Sequence, residues 1–597
     1  MKKRSEIEEK YKWDLTKFYQ SEKDFLSALE KVIVMLAEFS KVKGKIKAEP
    51  SLIKIIDDLL AIYRIEENIY VYAHLKFYED TTADSGQRLQ GRALALHNKV
   101  VEAVAFFKTE LLELDEAAVI EVFEANGKTS YIRYIEDYFR HKEHTLSAEA
   151  EQLMAATSSV YAAPKQIFTS LNDADAKFGN IRVDKKMVEL TKSNYSVYID
   201  HPNRAVRKQA FQKLNTFYKN NINTLAAMYN AFVNGNNIRA TLRGFNSYLE
   251  SCLFGNEIPV TIYDTLIKTV SNNLAPLHNY YHLKKKALGL KEFHLYDIFA
   301  PIVKGYSETI PFEEGYAKII ASVRVLGNRY VEDLSRSINE RWLDVEPSQG
   351  KRSGAFQWSS YDSQPYVMLN YENSLSSVQT LAHELGHAMH SFYSSSEQDY
   401  VNADYAIFVA EVASTVNEIL FIKSEIAQAD TNEKKLYLYS QFFEKFESTI
   451  YRQTMLAEFE KITYEKKQQG ESLNATLLCS IYEELAKKYY GENVHIDEEI
   501  KYGWARIPHF YTNFYVYQYA TGFSAACALA KRILEKAEEG IQKYLNFLKS
   551  GCSKAPIDLL KDAGVDMSTA KPIEDALKLF ENLQKEYQEI KKQIVKQ

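Results

Sequence analysis

The eight residues HELGHAMH, His383 to His390, bring together the ingredients of metal-assisted hydrolysis. On an α-helix His383 and His387 stand at i and i+4, one turn apart on one face, so both imidazoles reach the same ion. Glu384 is offset to the side of the metal, where it cannot easily be a ligand but can take a proton from a metal-bound water. Neutral imidazole suits Zn²⁺, and the ion brings the pKa of bound water to about 7, within reach of a carboxylate base. The pattern implies a zinc hydrolase. With 13 histidines in 597 residues, an accidental H-E-x-x-H has a chance of about 2%. The surroundings are helical too: serines precede the segment as candidate caps, and Val378, Leu381, Leu385, Ala388, Met389 and Phe392 keep an apolar helical spacing. Gly386 costs about 1 kcal/mol of helix propensity, which points to close packing or backbone approach at that position.

Two histidines leave a catalytic zinc one protein ligand short. His390, three residues past His387, does not fit a tetrahedral site with both of them. The metzincin pattern also fails, because His390 and Tyr393 stand where it needs glycine and histidine. His390 is therefore assigned to packing or to hydrogen bonding behind the ligands. The better third donor is Glu411, in DYAIFVAEVASTVNEILFIKSEI. Its neighbours Ile407, Phe408, Val412, Val416, Ile419 and Leu420 mark a buried helix, where a lone carboxylate is costly unless paired or metal-bound. Glu418 lies two turns further along roughly the same face, either as an acceptor behind a ligand histidine or as the partner of a basic residue. Hydrolysis of a carbonyl also needs donors for an oxyanion, and WARIPHFYTNFYVYQYATGF offers His509, Tyr511, Tyr515, Tyr517 and Tyr519.

The elements that must position these residues are mostly helices. Hydrophobic content of 46%, 26% charged residues and only 22 Gly and 12 Pro describe a globular chain with sparse turns and long Glu/Lys/Ala/Leu runs. Between about 340 and 375 the character changes, and SGAFQW and PYVMLNY read as strands of a small sheet leading into the metal helix. An edge strand there could hold an extended peptide through its main chain, or the strands could form a purely structural hairpin. Residues 1–195 form an N-terminal helical region without a ligand cluster, and 196–597 carry the catalytic residues. His141 and His144, in FRHKEHTLSAE, fit a solvated surface better than a metal site. A net charge of −6 and the absence of a nucleic-acid motif point away from nucleic acid. No apolar run is long enough for a membrane span or a secretory leader, so a cytoplasmic protein without a membrane partner is expected. Cys252, Cys479, Cys527 and Cys552 are scattered and are expected to be free thiols.

Over nearly its whole length the chain resembles the oligoendopeptidase F branch of the thimet oligopeptidase-like zinc metallopeptidases. The resemblance runs through YKWDLTKFY, HLYDIFAPIV, GKRSGAFQW, PYVMLNY, LAHELGHAMHS, FVAEVASTVNE, ARIPHFYTNFYVYQYATG and YLNFLKSGCSKAPIDLLKDAGVDM. It implies His383, His387 and Glu411 as ligands of one Zn²⁺ ion and Glu384 as the general base. It further implies a mainly α, two-lobed body around a deep channel with a small β-sheet beside the zinc-binding helix, admitting short unstructured peptides as substrates. His509 matches the histidine that stabilises the transition state in the broader family. Tyr517, and after it Tyr515, are the expected tyrosine partners. One departure is Cys552, where glycine would be expected in SGCSKAP. The implied activity is zinc-dependent cleavage of internal peptide bonds. An exopeptidase and a noncatalytic peptide-binding scaffold are the alternatives; the aminopeptidase signature G-A-M-E-N is absent.

Overall fold

In the computed structural model, which describes residues 1–303, 306 and 308–596, helices carry most of the chain and strands form only two small sheets. The mainly α architecture matches the expectation from composition. The contacts divide the chain into two compact units, each assembled from three separated segments. One comprises Met1–Lys142, Ser307–Ser424 and Leu529–Val565; the other comprises Glu143–Tyr306, Glu425–Ala528 and Asp566–Gln597. A single cut near residue 195 therefore does not separate them.

The first unit begins with helices Glu22–Phe39, Ser51–Glu79 and Asp84–Leu112. Phe25, Leu29, Val32, Leu36 and Phe39 fall at three- and four-residue intervals and are all buried, so one apolar stripe docks the first helix. Ser21 caps it by accepting the Asp24 N–H. The segment before this helix is tied to a sheet: Asp14 N–H donates to Arg341 O at 2.8 Å, Val345 N–H to Tyr11 O at 2.9 Å, and the Tyr366 hydroxyl to Asp14 O at 2.9 Å.

The chain's first sheet is a hairpin in the second unit, β1 (Asn180–Val183) with β2 (Lys186–Glu189). The second, in the first unit, has the order β3-β5-β4, with β3 (Leu343–Asp344) parallel and β4 (Phe356–Trp358) antiparallel to β5 (Tyr366–Met368). SGAFQW and PYVMLNY thus supply β4 and β5, and β4 is an edge strand. Asp344 of β3 sits between Arg4 and Lys351, each at 2.6 Å. Burial pushes its carboxyl up, but the two cations outweigh this and hold it below the usual carboxylate range.

From β5 the chain passes into the helix Leu375–Glu397, capped by Ser374, whose hydroxyl accepts the Ser377 N–H. Val378, Leu381, Leu385, Ala388 and Met389 are fully buried on it. It packs on the helix Ile407–Gln428 at Gly386. A Cβ on that glycine would lie 2.6 Å from Ser414 Cα and 2.7 Å from Ala413 O. Only a residue without a side chain lets the two backbones come this close, and the helix-propensity cost of Gly386 has its explanation here.

The second unit is built around Arg204–Asn220, Ile222–Leu242, Arg452–Gln468 and Ala475–Tyr490. Its core is aromatic: Phe459 packs against Phe510 and Tyr482 at 4.9 and 5.5 Å between ring centroids. In HLYDIFAPIV, Asp297 is buried between Arg204 and Arg207. All four cysteines are free thiols.

Candidate metal centre

The first unit brings His383, His387 and Glu411 together. The two histidines lie one turn apart on Leu375–Glu397, with their Nε2 atoms 3.2 Å from each other. Glu411, on the helix that Gly386 allows to approach, places Oε2 at 3.2 Å from His383 Nε2 and 3.6 Å from His387 Nε2. A tetrahedral zinc with ligand bonds of about 2.0–2.1 Å has ligand atoms about 3.3 Å apart. The observed triangle of 3.2, 3.2 and 3.6 Å is one face of such a tetrahedron, and two imidazoles with one carboxylate form a donor set suited to zinc. The residues present fit the ion.

Electrostatics favour a cation at this point. Burial opposes charge on His383, but the Glu411 and Glu418 carboxylates outweigh it and push its pKa up to about 10. Burial likewise raises the Glu411 carboxyl, and the two histidines overcome that and hold it well below the usual carboxylate range. The Ser414 hydroxyl is shared between the Glu411 backbone O at 2.9 Å and Oε2 at 3.2 Å, which places a donor beside the carboxylate.

Glu418, left open by spacing, accepts the Nδ1–H of His383 at 2.6 Å. This bond fixes the ring's orientation and reserves Nε2, which faces Glu411, as the atom that would ligate the ion. Glu418→Ala is expected to weaken zinc binding by about 10- to 100-fold, read by competition with a chromophoric chelator. Unchanged affinity would leave Glu418 with a structural role alone.

Glu384 is 6% exposed, beside the three donors without belonging to their triangle. Burial, more than any neighbour, raises its pKa, and the charges of Glu411 and Glu418 add to the rise. A carboxylate shifted in this way is a better proton acceptor than a solvated one. His390 points elsewhere: it is 1% exposed and stacks on Tyr405 with centroids 3.8 Å apart. Burial pushes its pKa down to about 3, so it is a neutral packing histidine.

His509, Tyr515 and Tyr519 form a half-buried cluster in the second unit, with ring centroids 5.4 to 6.4 Å apart. The turn carrying them is held in a demanding conformation, since Asn513 and Phe514 have φ of +45° and +52°. Glu460 accepts the Phe514 N–H at 2.8 Å and Asn236 donates to Asn513 Oδ1 at 3.0 Å. Tyr517 has a different setting, 1% exposed with its ring 5.1 Å from Tyr263. This core ring has no open face, whereas Tyr515 is half-buried beside His509. Tyr511 is likewise buried and stacks on Phe168.

His144, taken as solvated, stacks on Phe245 at 3.6 Å and shares a hydrogen bond with Arg243 O, while His141 stays partly exposed. A second group of ligand-type residues, His294, His495 and Asp497, escaped sequence reading. A parallel bridge between His294 and His495 joins segments far apart in the chain, and no local spacing announces it. There Asp497 accepts His294 Nδ1–H at 2.8 Å and Leu295 N–H at 3.1 Å.

Comparison with known proteins finds related peptidases. A family model described as peptidase family M3 matches residues 197–579, and one described as oligopeptidase F matches 110–178. Oligopeptidase PepF of Bacillus subtilis is 36% identical, over 98% of this chain and 88% of that protein. The crystal structure of oligoendopeptidase-F from Enterococcus faecium is 33% identical, with a TM-score of 0.74 over 96% of this chain and 99% of its own. A solved Chlamydophila abortus protein at 32% identity reaches a TM-score of 0.90 over 99% of this chain and 100% of its own.

Proposed function

The chain belongs to peptidase family M3, and on that premise we propose that it is a zinc-dependent endopeptidase of short, unstructured peptides. The observation that carries this reading is the triangle of His383, His387 and Glu411 with the buried Glu384 beside it. When bound, zinc supplies a Lewis acid that polarises a peptide carbonyl and acidifies water. Glu384 takes the proton from the attacking water and passes it to the leaving amine. Glu418 and Ser414 keep His383 and Glu411 aimed while this happens.

The edge strand β4 supports binding of an extended peptide by main-chain hydrogen bonds that are indifferent to side chains. His509 and Tyr515 are assigned to the oxyanion; the resemblance of IPHFYTNFYVYQYATG and the half-buried cluster support that assignment. A peptide acetylated at its N-terminus and amidated at its C-terminus is expected to be cut at an internal bond, with the products mapped by mass spectrometry. Consumption of unblocked peptides alone, trimmed from one end, would replace this reading with an exopeptidase.

A further inference from the structure

Beside the metal centre, within the first unit, lies a cavity of about 610 Å³, in the size range of ligand clefts, roughly 300–1,000 Å³. It is walled in part by the two helices that carry His383, His387 and Glu411. Gln357 comes from the edge strand β4, Ser391 lies one turn beyond His387, and Ala410 precedes Glu411. Two carboxylates from separate elements share this space, Glu67 on Ser51–Glu79 and Asp404 in the turn before Ile407–Gln428.

No lysine, arginine or histidine is among the residues that line the cavity, and neither carboxylate has an ion-pair partner among the described residues. Glu67 accepts one weak hydrogen bond, from the Tyr361 N–H at 3.4 Å. Asp404 accepts the Tyr405 N–H at 2.8 Å and remains open to the cavity. The nearby Arg64 is committed to Asp362, at 2.7 Å from Nε. Burial pushes the Glu67 carboxyl up to about 7, Asp404 adds to that rise, and burial raises Asp404 in turn. Two carboxylates that face one cavity without a counter-charge repel each other, and a cation placed between them removes that repulsion. The remaining walls are largely aromatic, with six tyrosines and Trp358, and their π-faces attract the same kind of group.

We propose that this cavity is a subsite for a cationic group of the peptide substrate, a lysine or arginine side chain or the terminal ammonium. The inference rests on the peptidase reading above and deepens it, because the cavity is lined by both donor-carrying helices and by β4, the strand proposed to hold the peptide.

The test uses the full-length zinc-loaded protein and reporter peptides that carry lysine, its neutral isostere norleucine, or glutamate at one position at a time. At one position kcat/KM for lysine is expected to exceed that for norleucine by about tenfold or more. Acetylating the N-terminus separates the two sources: a side-chain preference survives the block, and an ammonium preference disappears. Asp404→Lys is expected to reverse the order at that position, favouring glutamate over lysine, which a misfolded variant cannot do. Ratios below about twofold at every position with either terminus, or a preference untouched by Glu67→Gln and Asp404→Lys, overturn the subsite. Cleavage of the norleucine peptides in that case leaves the endopeptidase reading standing. If no peptide is cleaved, that reading falls, and calorimetry with the lysine and norleucine peptides decides the subsite: lysine binding about tenfold tighter upholds it, and equal binding overturns it.

Discussion

Glu384→Gln is expected to bind zinc as tightly as the parent and to hydrolyse peptides on the order of 10³-fold more slowly, within the range attributed to general bases. The side chain lies outside the triangle of donors, so the metal has no reason to leave. Glutamine keeps the shape and removes only the ability to hold a proton. Since Glu384 is buried and its carboxylate disfavoured there, the neutral amide should cost the fold little. Turnover of a fluorogenic peptide, bound-metal content and the melting midpoint together check the claim. A variant that retains even a tenth of the parent activity removes Glu384 from the proton-transfer role.

Chelation gives the second large effect. Removing the metal is expected to abolish hydrolysis, to below about 1% of the starting rate, and to leave the far-UV helical signal essentially intact. The reason lies in how the two metal-binding helices are held. Gly386 lets their backbones meet at Ser414. Val378, Leu381 and Leu385 on one helix and Val412 and Val416 on the other are fully buried, each of these side chains contributing about 1.5–3 kcal/mol when buried. Those contacts do not need the ion. Zinc added back should restore the rate. Loss of the helical signal on chelation would instead make the metal structural, and the reading of a catalytic site would fail with it.

These two outcomes depend on residues that short stretches of sequence already point to. A helix repeats every 3.6 residues, so His383 and His387 must share a face whatever the rest of the chain does. The same periodicity marks the Glu411 helix as buried, and burial turns a lone carboxylate into a candidate ligand. SGAFQW and PYVMLNY announce β4 and β5 by composition and turn signals. Gly386 announced a close approach without naming its partner.

Partners are what local pattern does not carry. Glu418 could have served a ligand histidine or a basic residue, and the 2.6 Å bond to His383 Nδ1 needed two helices in place. Tyr515 and Tyr517 are two residues apart in one tyrosine-rich stretch, and nothing in their spacing separates them. The separation comes from tertiary packing: the turn at Asn513 and Phe514 leaves Tyr515 beside His509, and the following helix buries Tyr517 against Tyr263. Glu67 and Asp404 lie on elements more than three hundred residues apart in sequence, and only folding makes them walls of one cavity. The interleaving of the two units has the same origin, for a chain that returns twice to each unit shows no composition break where it crosses. By itself the sequence determined the helical class and singled out the proposed metal donors and base; the tertiary structure decided which polar groups aim them, which tyrosine stays accessible and what surrounds the candidate centre. Local periodicity follows from backbone geometry common to all chains, whereas these pairings depend on the burial of particular surfaces against one another.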